Sequence, residues 1–321
     1  MIKVLVADPI SQLGIDVLQK DPALQVDVKL KQTEDQLVAI IGEYDALVVR
    51  SETKVTKRVI DAAQRLKVIG RAGVGVDNID LNAAKAKGIL VVNTPGGNTI
   101  AAAEHTFGML LALARHVPQA HNDLKEGNWN RTKYTGTELR KKTLGILGLG
   151  RIGREVANFA RAFGMNIVAF DPYAVKEQAA NIGVKLVDFE SVLQEADFLT
   201  VHMPLTSESR KLIAQEQFSL MKDGACLINC ARGGIICEEA LYQAIVAGKI
   251  KGAALDVFEK EPMVCNPLFE LDQVIVTPHL GASTKEAQVN VAIEVCEDVL
   301  GILKGNTPIN PVFTLKNAKS A

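Results

Sequence analysis

The strongest constraint on what this chain can fold into is an alternation. Short runs rich in Val and Ile recur between longer segments whose apolar residues follow a helical period. That alternation signals a parallel sheet with crossover helices. One series of predicted strands is Lys3–Ala7, Ala46–Arg50, Val68–Arg71 and Leu90–Asn93. A second series is Thr143–Leu147, Asn166–Phe170, Phe198–Val201, Cys226–Asn229, Gly252–Leu255 and Val274–Thr277. Runs with no polar residue, such as Leu144–Leu149, imply strands covered on both faces. Between the series lies a helical stretch, Thr99 to Arg115, entered through Pro95-Gly96-Gly97-Asn98 and followed by a polar segment, His116 to Lys142. The first domain is therefore expected to end near Asn98. A final helix, Thr284 to Lys304, could by pattern alone pack on either domain, and residues 317–321 are expected to fray.

Length and charge narrow the function. At about 150 residues per domain, 321 residues make two domains. Thirty-six basic against thirty-seven acidic side chains leave a net charge of −1, which argues against a general nucleic-acid binder. Five cysteines, odd in number and without a C-x-x-C pair, read as free thiols in a reducing compartment. The opening, Met1 to Asp8, reads as a strand rather than an export signal. The most apolar long stretch, Ile100 to Ala114, contains Glu104 and His105 and is too short to span a bilayer. The expectation is a cytoplasmic protein with no membrane or nucleic-acid partner and no metal.

A dinucleotide fingerprint follows the first strand of the second series. Gly148-Leu149-Gly150-Arg151-Ile152-Gly153 is G-x-G-x-x-G, placed between a predicted strand and a helical stretch, Arg154 to Phe163. The first glycine permits the tight turn and the second lets backbone approach a pyrophosphate. The third lets helix and strand pack closely, and the helix N-terminus favours negative charge. Asp171 closes the next strand 18 residues after Gly153, near the spacing of a ribose-binding carboxylate. An acid there repels a 2′-phosphate, so NAD is favoured over NADP. Gly73-Val74-Gly75 imitates this turn, but Asn78 stands where the third glycine would be. It reads either as a plain strand-to-helix turn or as backbone N–H groups offered to a small carboxylate.

Ligands of open α/β sheets sit beyond the carboxyl ends of the strands. His279, in Thr277-Pro278-His279-Leu280-Gly281, occupies such an end and is the best acid/base candidate by position. His202 also ends a strand and reads as structural or as lining the cofactor cleft, whereas His105, His116 and His121 read as structural or solvated. Arg232, in Cys230-Ala231-Arg232-Gly233-Gly234, can offer a planar fork to a carboxylate. The acidic stretch Asp256 to Glu261 can supply a carboxylate that fixes a histidine tautomer.

These segments, G-L-G-R-I-G, N-C-A-R-G-G, D-V-F-x-x-E-P and P-H-L-G-A-S-T, resemble in order and spacing the D-isomer-specific 2-hydroxy-acid dehydrogenase family. In the first half, V-V-R-S, G-R-A-G-V-G-V-D-N-I-D and N-T-P-G-G-N most resemble the members that oxidise 3-phospho-D-glycerate. The resemblance runs from Met1 to about Pro311. It implies an α/β fold of two doubly wound parallel-sheet domains, with a Rossmann NAD-binding domain (99–282) inserted into a flavodoxin-like substrate domain (1–98 and 283–312). A tail at 313–321 would follow.

The resemblance also implies site roles. His279 would be the acid/base, Glu261 its partner and Arg232 the group holding the substrate carboxylate. Gly148, Gly150, Arg151, Ile152, Gly153 and Asp171 would bind NAD, and Cys230, Asp256 and Ala282 would line its nicotinamide end. Val74 and Gly75 would approach the substrate and cofactor. Arg50, Arg71 and Asn98 would meet the substrate, with Arg131 reaching in from a partner subunit of a homodimer or homotetramer. The implied reaction is NAD-dependent oxidation of 3-phospho-D-glycerate to 3-phosphohydroxypyruvate, which opens serine synthesis. The alternatives are a relative acting on glyoxylate, hydroxypyruvate or D-lactate, or a non-catalytic NAD-binding scaffold. Two departures stand out. Cys237 replaces an acid common at that place, beside Glu238, and no C-terminal regulatory domain is expected.

Overall fold

The computed structural model describes residues 1–315; the end at 317–321, where fraying is expected, lies outside the described residues. The chain divides into two compact units. Met1–Asn98 and residues 283–315 form one, and Thr99–Ala282 form the other.

The first unit carries five parallel strands: β1 (Ile2–Val6), β2 (Leu24–Val28), β3 (Ala46–Val49), β4 (Val68–Arg71) and β5 (Leu90–Asn93). Their order is β2-β1-β3-β4-β5, the flavodoxin-like arrangement. Val4 and Val6 face one way and Leu5 the other, and all three are fully buried because helices cover both sheet faces. The helix Lys285–Leu303 covers one of those faces. Thr284 caps it, accepting from the Ala287 amide at 3.1 Å, and Val295 and Val299 press on Gly70 of β4, where a Cβ would lie only 2.6 Å from Val299. The same helix meets the helix Gln12–Gln19 at Gly14, whose missing side chain lets the backbone of Ala292 approach. Pattern reading left this helix without a domain; it packs in the first unit.

The second unit carries seven parallel strands: β6 (Thr143–Leu147), β7 (Asn166–Phe170), β8 (Lys185–Leu186), β9 (Phe198–Val201), β10 (Ala225–Asn229), β11 (Ile250–Leu255) and β12 (Val274–Val276). The order β12-β11-β10-β9-β6-β7-β8 reverses direction at β6, as in a doubly wound dinucleotide-binding sheet. One face packs Leu144, Ile146 and Ile228 against Leu110 and Val156; the other packs Leu147, Leu199 and Val201 among residues that include Phe218 and Leu241. The helix Thr99–Arg115 lies against the helix Arg151–Ala162, with Phe107 edge-on to Phe159 at 5.9 Å between ring centroids. The polar segment after it folds as a helix, Val117–Lys125, with no buried residue, then a 3-10 turn, Arg131–Tyr134. Two strands absent from the sequence expectation, β2 and β8, both form sheet edges.

Candidate active site

In the second unit the fingerprint turn joins β6 to the helix Arg151–Ala162. Gly148 sits at φ +95°, a left-handed conformation that favours glycine. A Cβ on Gly153 would lie 2.3 Å from the Gly148 carbonyl oxygen, so helix and turn touch there. A Cβ on Gly150 would meet nothing within 4 Å. Gly150 is also the N-cap of the helix and brings no side chain to its first amides. The turn thus presents bare backbone donors and open space beside Arg151 and Ile152, which fits a pyrophosphate. Asp171, at the end of neighbouring β7, accepts from the Leu149 amide at 2.7 Å and the Tyr173 amide at 2.8 Å. Two backbone amides therefore fix its carboxylate beside the turn, where a ribose hydroxyl would be read.

Three more strand ends share that edge, because β10, β11 and β12 are adjacent and parallel. Arg232 follows β10, Asp256 and Glu261 follow β11, and His279 follows β12. His279 Nδ1 lies 2.6 Å from Glu261 Oε2, and Glu261 Oε1 accepts from the Phe258 amide at 3.0 Å. Burial pushes the Glu261 carboxyl up, but the hydrogen bond and charge of His279, with the Phe258 amide, outweigh it. The group ends below the usual carboxylate range. His279 has φ +55°, uncommon for a residue with a side chain and a recurrent mark of functional turns.

Asp256 holds that turn. Its fully buried carboxylate accepts from the Leu280 amide at 2.7 Å, the Gly281 amide at 2.8 Å and the Thr277 hydroxyl, so it grips the chain on both sides of His279. Burial raises its carboxyl, but the hydrogen bonds from His105, Thr277, Leu280 and Gly281 together bring it below the usual range. Gly281 leads directly into Ala282, a half-buried residue at the end of this turn. Arg232 donates to the Ala231 carbonyl at 2.6 Å, while Asn229 donates to the Arg232 carbonyl at 2.9 Å and accepts from the Ala231 amide at 3.1 Å. Gly233 lies flat on the next strand's loop, since a Cβ there would fall 1.7 Å from the Phe258 carbonyl oxygen.

His105, read from sequence as structural or solvated, belongs to this cluster. Its Nε2 lies 3.2 Å from Thr277 Oγ1 and 3.3 Å from Asp256 Oδ1. The available signal was a titratable side chain among Ala101, Ala102, Ala103 and Thr106 on a buried helical face. Cys230 is the third member. Burial, and then the charge of Asp256, push its thiol up to about 12, which keeps it neutral. His105, Cys230 and Asp256 have ligand atoms within 4.8 Å of one another, a spacing that could hold a metal ion. Asp256 accepts hydrogen bonds from Thr277, His105 and the Leu280 and Gly281 amides, so its oxygens are already engaged within the protein. The His202 backbone lies against Gly148 of the fingerprint turn, where a Cβ would fall 2.7 Å from the His202 carbonyl oxygen; desolvation takes its imidazole down to about 4, and its ring lies 3.0 Å from Thr200 Oγ1.

In the first unit, β3, β4 and β5 are adjacent and end on one edge. Arg50 follows β3. Buried Asp8 accepts its amide at 2.6 Å, and Asn78 donates to its carbonyl at 2.7 Å, so its backbone is clamped. Arg71 ends β4 and donates to the Ala72 carbonyl at 3.2 Å, folding over Gly73. Val74 and Gly75 continue this turn, which is tied to β5 by Asn93 donating to the Val74 carbonyl at 2.6 Å. Asn98 closes the turn after β5, and its side-chain oxygen is buried with no hydrogen-bond partner among the described residues. Arg131 lies apart from both edges in sequence, on the exposed 3-10 turn of the second unit.

Residues 107–281 match the family model described as "D-isomer specific 2-hydroxyacid dehydrogenase, NAD binding domain". D-3-phosphoglycerate dehydrogenase of Archaeoglobus fulgidus is 55% identical over 304 residues, which are 94% of this chain and 58% of that protein. The Bacillus subtilis enzyme of the same name is 52% identical over 306 residues, 95% of this chain and 58% of its own length. The chain thus spans a little over half the length of these curated relatives. Among solved structures, a D-lactate dehydrogenase from Aquifex aeolicus, complexed with NAD and lactic acid, superimposes with a TM-score of 0.87 at 30% identity. That match covers 98% of this chain and 100% of the other. With the NAD-binding domain matched across more than half its residues, and with the fingerprint and three strand-end side chains on one sheet edge, the chain belongs to the D-isomer-specific 2-hydroxyacid dehydrogenase family.

Proposed function

We propose that the protein oxidises 3-phospho-D-glycerate to 3-phosphohydroxypyruvate with NAD, the reaction that opens serine synthesis. The observation that carries the chemistry is the 2.6 Å hydrogen bond between His279 and Glu261, on the same sheet edge as Arg232 and the fingerprint turn. Gly148, Gly150, Arg151, Ile152, Gly153 and Asp171 hold NAD, and bound NAD supplies the hydride acceptor. In oxidation, neutral His279 takes the proton from the substrate hydroxyl, and Glu261, ionised at neutral pH, stabilises the imidazolium that forms. In reduction the protonated ring gives that proton back. Arg232 orients the substrate carboxylate and offsets charge on the reacting oxygen. Cys230, Asp256 and Ala282 line the nicotinamide end.

The substrate reading rests on the relatives' names and on cations at the first unit's strand ends. A dianionic phosphate needs donors apart from Arg232, and Arg50 and Arg71 supply them, with Val74, Gly75 and Asn98 shaping the site. Arg131 completes the site of a neighbouring copy in a homodimer or homotetramer located in the cytoplasm. The testing experiment is a panel of 2-hydroxy and 2-oxo acids, with and without a 3-phosphate, assayed with NAD(H) and NADP(H). Arg50→Gln should lower kcat/KM for 3-phosphoglycerate roughly 10- to 150-fold, the loss of one charge-assisted hydrogen bond, and change hydroxypyruvate little. Wild-type preference for glyoxylate, hydroxypyruvate or D-lactate would assign the chain to another branch of its family. Binding of NAD without turnover of any acid would make it a non-catalytic scaffold.

A further inference from the structure

The helix Glu238–Val246 begins without a cap of its own. Its N-cap, Cys237, has the extended backbone of a capping residue (φ −74°, ψ 109°) but makes no side-chain cap hydrogen bond. A helix end left this way carries unpaired amides. Here the missing acceptor comes from another part of the chain: Glu259 Oε1 accepts from the Glu238 amide at 3.1 Å. The contact is reciprocal, because the Glu259 amide donates to Glu238 Oε1. The second oxygen of Glu238 accepts from Asn266 Nδ2 at 2.6 Å, and Asn266 is buried and caps the following 3-10 turn through the Leu268 amide. Lys211 stands 3.5 Å from Glu259 Oε2 and, with the positive end of the helix, offsets the two carboxylates.

Glu238 therefore grips both ends of the loop 259–266 from a rigid helix. That loop carries Glu261, two residues from the gripped amide. Within its own loop Glu261 is further held by the Phe258 amide, at 3.0 Å. We propose that Glu238 is a positioning residue for the His279–Glu261 pair, acting through the backbone of Glu259. It touches neither substrate nor cofactor. Its work is to stop the loop from drifting, so that the Glu261 carboxylate stays within hydrogen-bond reach of the imidazole. A drift of about 1 Å is enough to cost roughly a hundredfold in rate when it misplaces reacting groups, so a partial loosening is expected to cost about tenfold. The proposal rests on the family's acid/base reading but not on the identity of the substrate.

The test compares wild type, Glu238→Ala and Glu238→Gln, using whichever 2-oxo acid the wild type reduces best. A failure of the 3-phosphoglycerate reading then leaves this test intact. The measurements are kcat, KM for NADH, the pH profile of kcat and the melting temperature. Glu238→Ala should lower kcat about tenfold with KM for NADH within about twofold. The acid limb of the profile should move to higher pH, because Glu261 loses the His279 contact that holds its carboxyl low. Glu238→Gln keeps an acceptor for the Glu259 amide and should restore most of both. If the Ala variant does not fold, Glu238→Asp, which keeps the charge but shortens the reach, takes the same readouts. An unchanged acid limb, with or without a fall in kcat or stability, overturns the proposal and leaves Glu238 a helix-end residue only.

Discussion

Gly233→Ala joins packing to catalysis at one atom. The new Cβ would fall 1.7 Å from the Phe258 carbonyl oxygen, 2.1 Å from its carbon and 2.8 Å from its nitrogen. Ordinary contact begins at 3.4 Å. Every atom struck is backbone, so no side chain can rotate away, and two loops must part by well over an ångström. One loop carries Arg232. The other carries the Phe258 amide that supports Glu261. Overpacking of this kind costs about 1–3 kcal/mol of stability. Against a typical total of about 5–15 kcal/mol, most of the protein stays folded at 25 °C. The rate loss is then separable from unfolding, and a displacement of about 1 Å between Arg232 and the acid/base pair should lower kcat/KM about a hundredfold. Steady-state kinetics, thermal melts and NADH titration measure the three quantities together. A variant with wild-type kcat/KM, or one whose loss in rate is matched by an equal loss of folded protein, would refute the coupling between these loops.

Gly150→Ala should act the other way: with open space at its Cβ, stability should fall by only about 1 kcal/mol, the difference between a glycine and an alanine N-cap, while NADH binding weakens at least tenfold by titration. His202 makes a pH prediction. It stays neutral in the folded chain down to about 4, whereas an unfolded histidine gains its proton near 6.5, so falling pH favours unfolding across that window. The stability lost is up to about 3 kcal/mol, and His202→Gln should flatten the slope of denaturation free energy between pH 6.5 and 4. An unchanged slope would mean the ring is charged, or exposed, in the folded state.

Strands buried on both faces announce themselves in sequence. Val68–Arg71 and Thr143–Leu147 fold over the residues their apolar runs mark, because runs this short between turn residues suit a strand covered on both faces better than a helix. The edge strand Leu24–Val28 does not, since Leu24, Val26 and Val28 alternate with Gln25 and Asp27 and are half-buried or exposed. Lys185–Leu186 is too short to leave a pattern. The strand-end rule likewise makes His279, Arg232 and Arg50 visible, as each terminates a run. What it cannot show is partnership over long separations. Asp256 meets His105 from 151 positions away, and Asp8 clamps Arg50 from 42. Glu238 and Glu259, 21 apart, look like two solvated acids until the fold brings each to the other's amide.

The helix Lys285–Leu303 has a consequence for the order of assembly. It covers β3 and β4 through Val295 and Val299, so the first unit lacks one side of its core until the ribosome has added the second. At about 5–20 residues per second, the nearly complete N-terminal sheet waits on the order of ten seconds or more with that apolar face covered in part only, by the helix Gln12–Gln19 through Leu18. The second unit, whose residues run without interruption from Thr99 to Ala282, has no such wait and can close first. Newly made chains are therefore most open to chaperones, proteases and wrong pairings at Val4, Val6, Val48 and Val68, the last two in the strands whose ends carry Arg50 and Arg71.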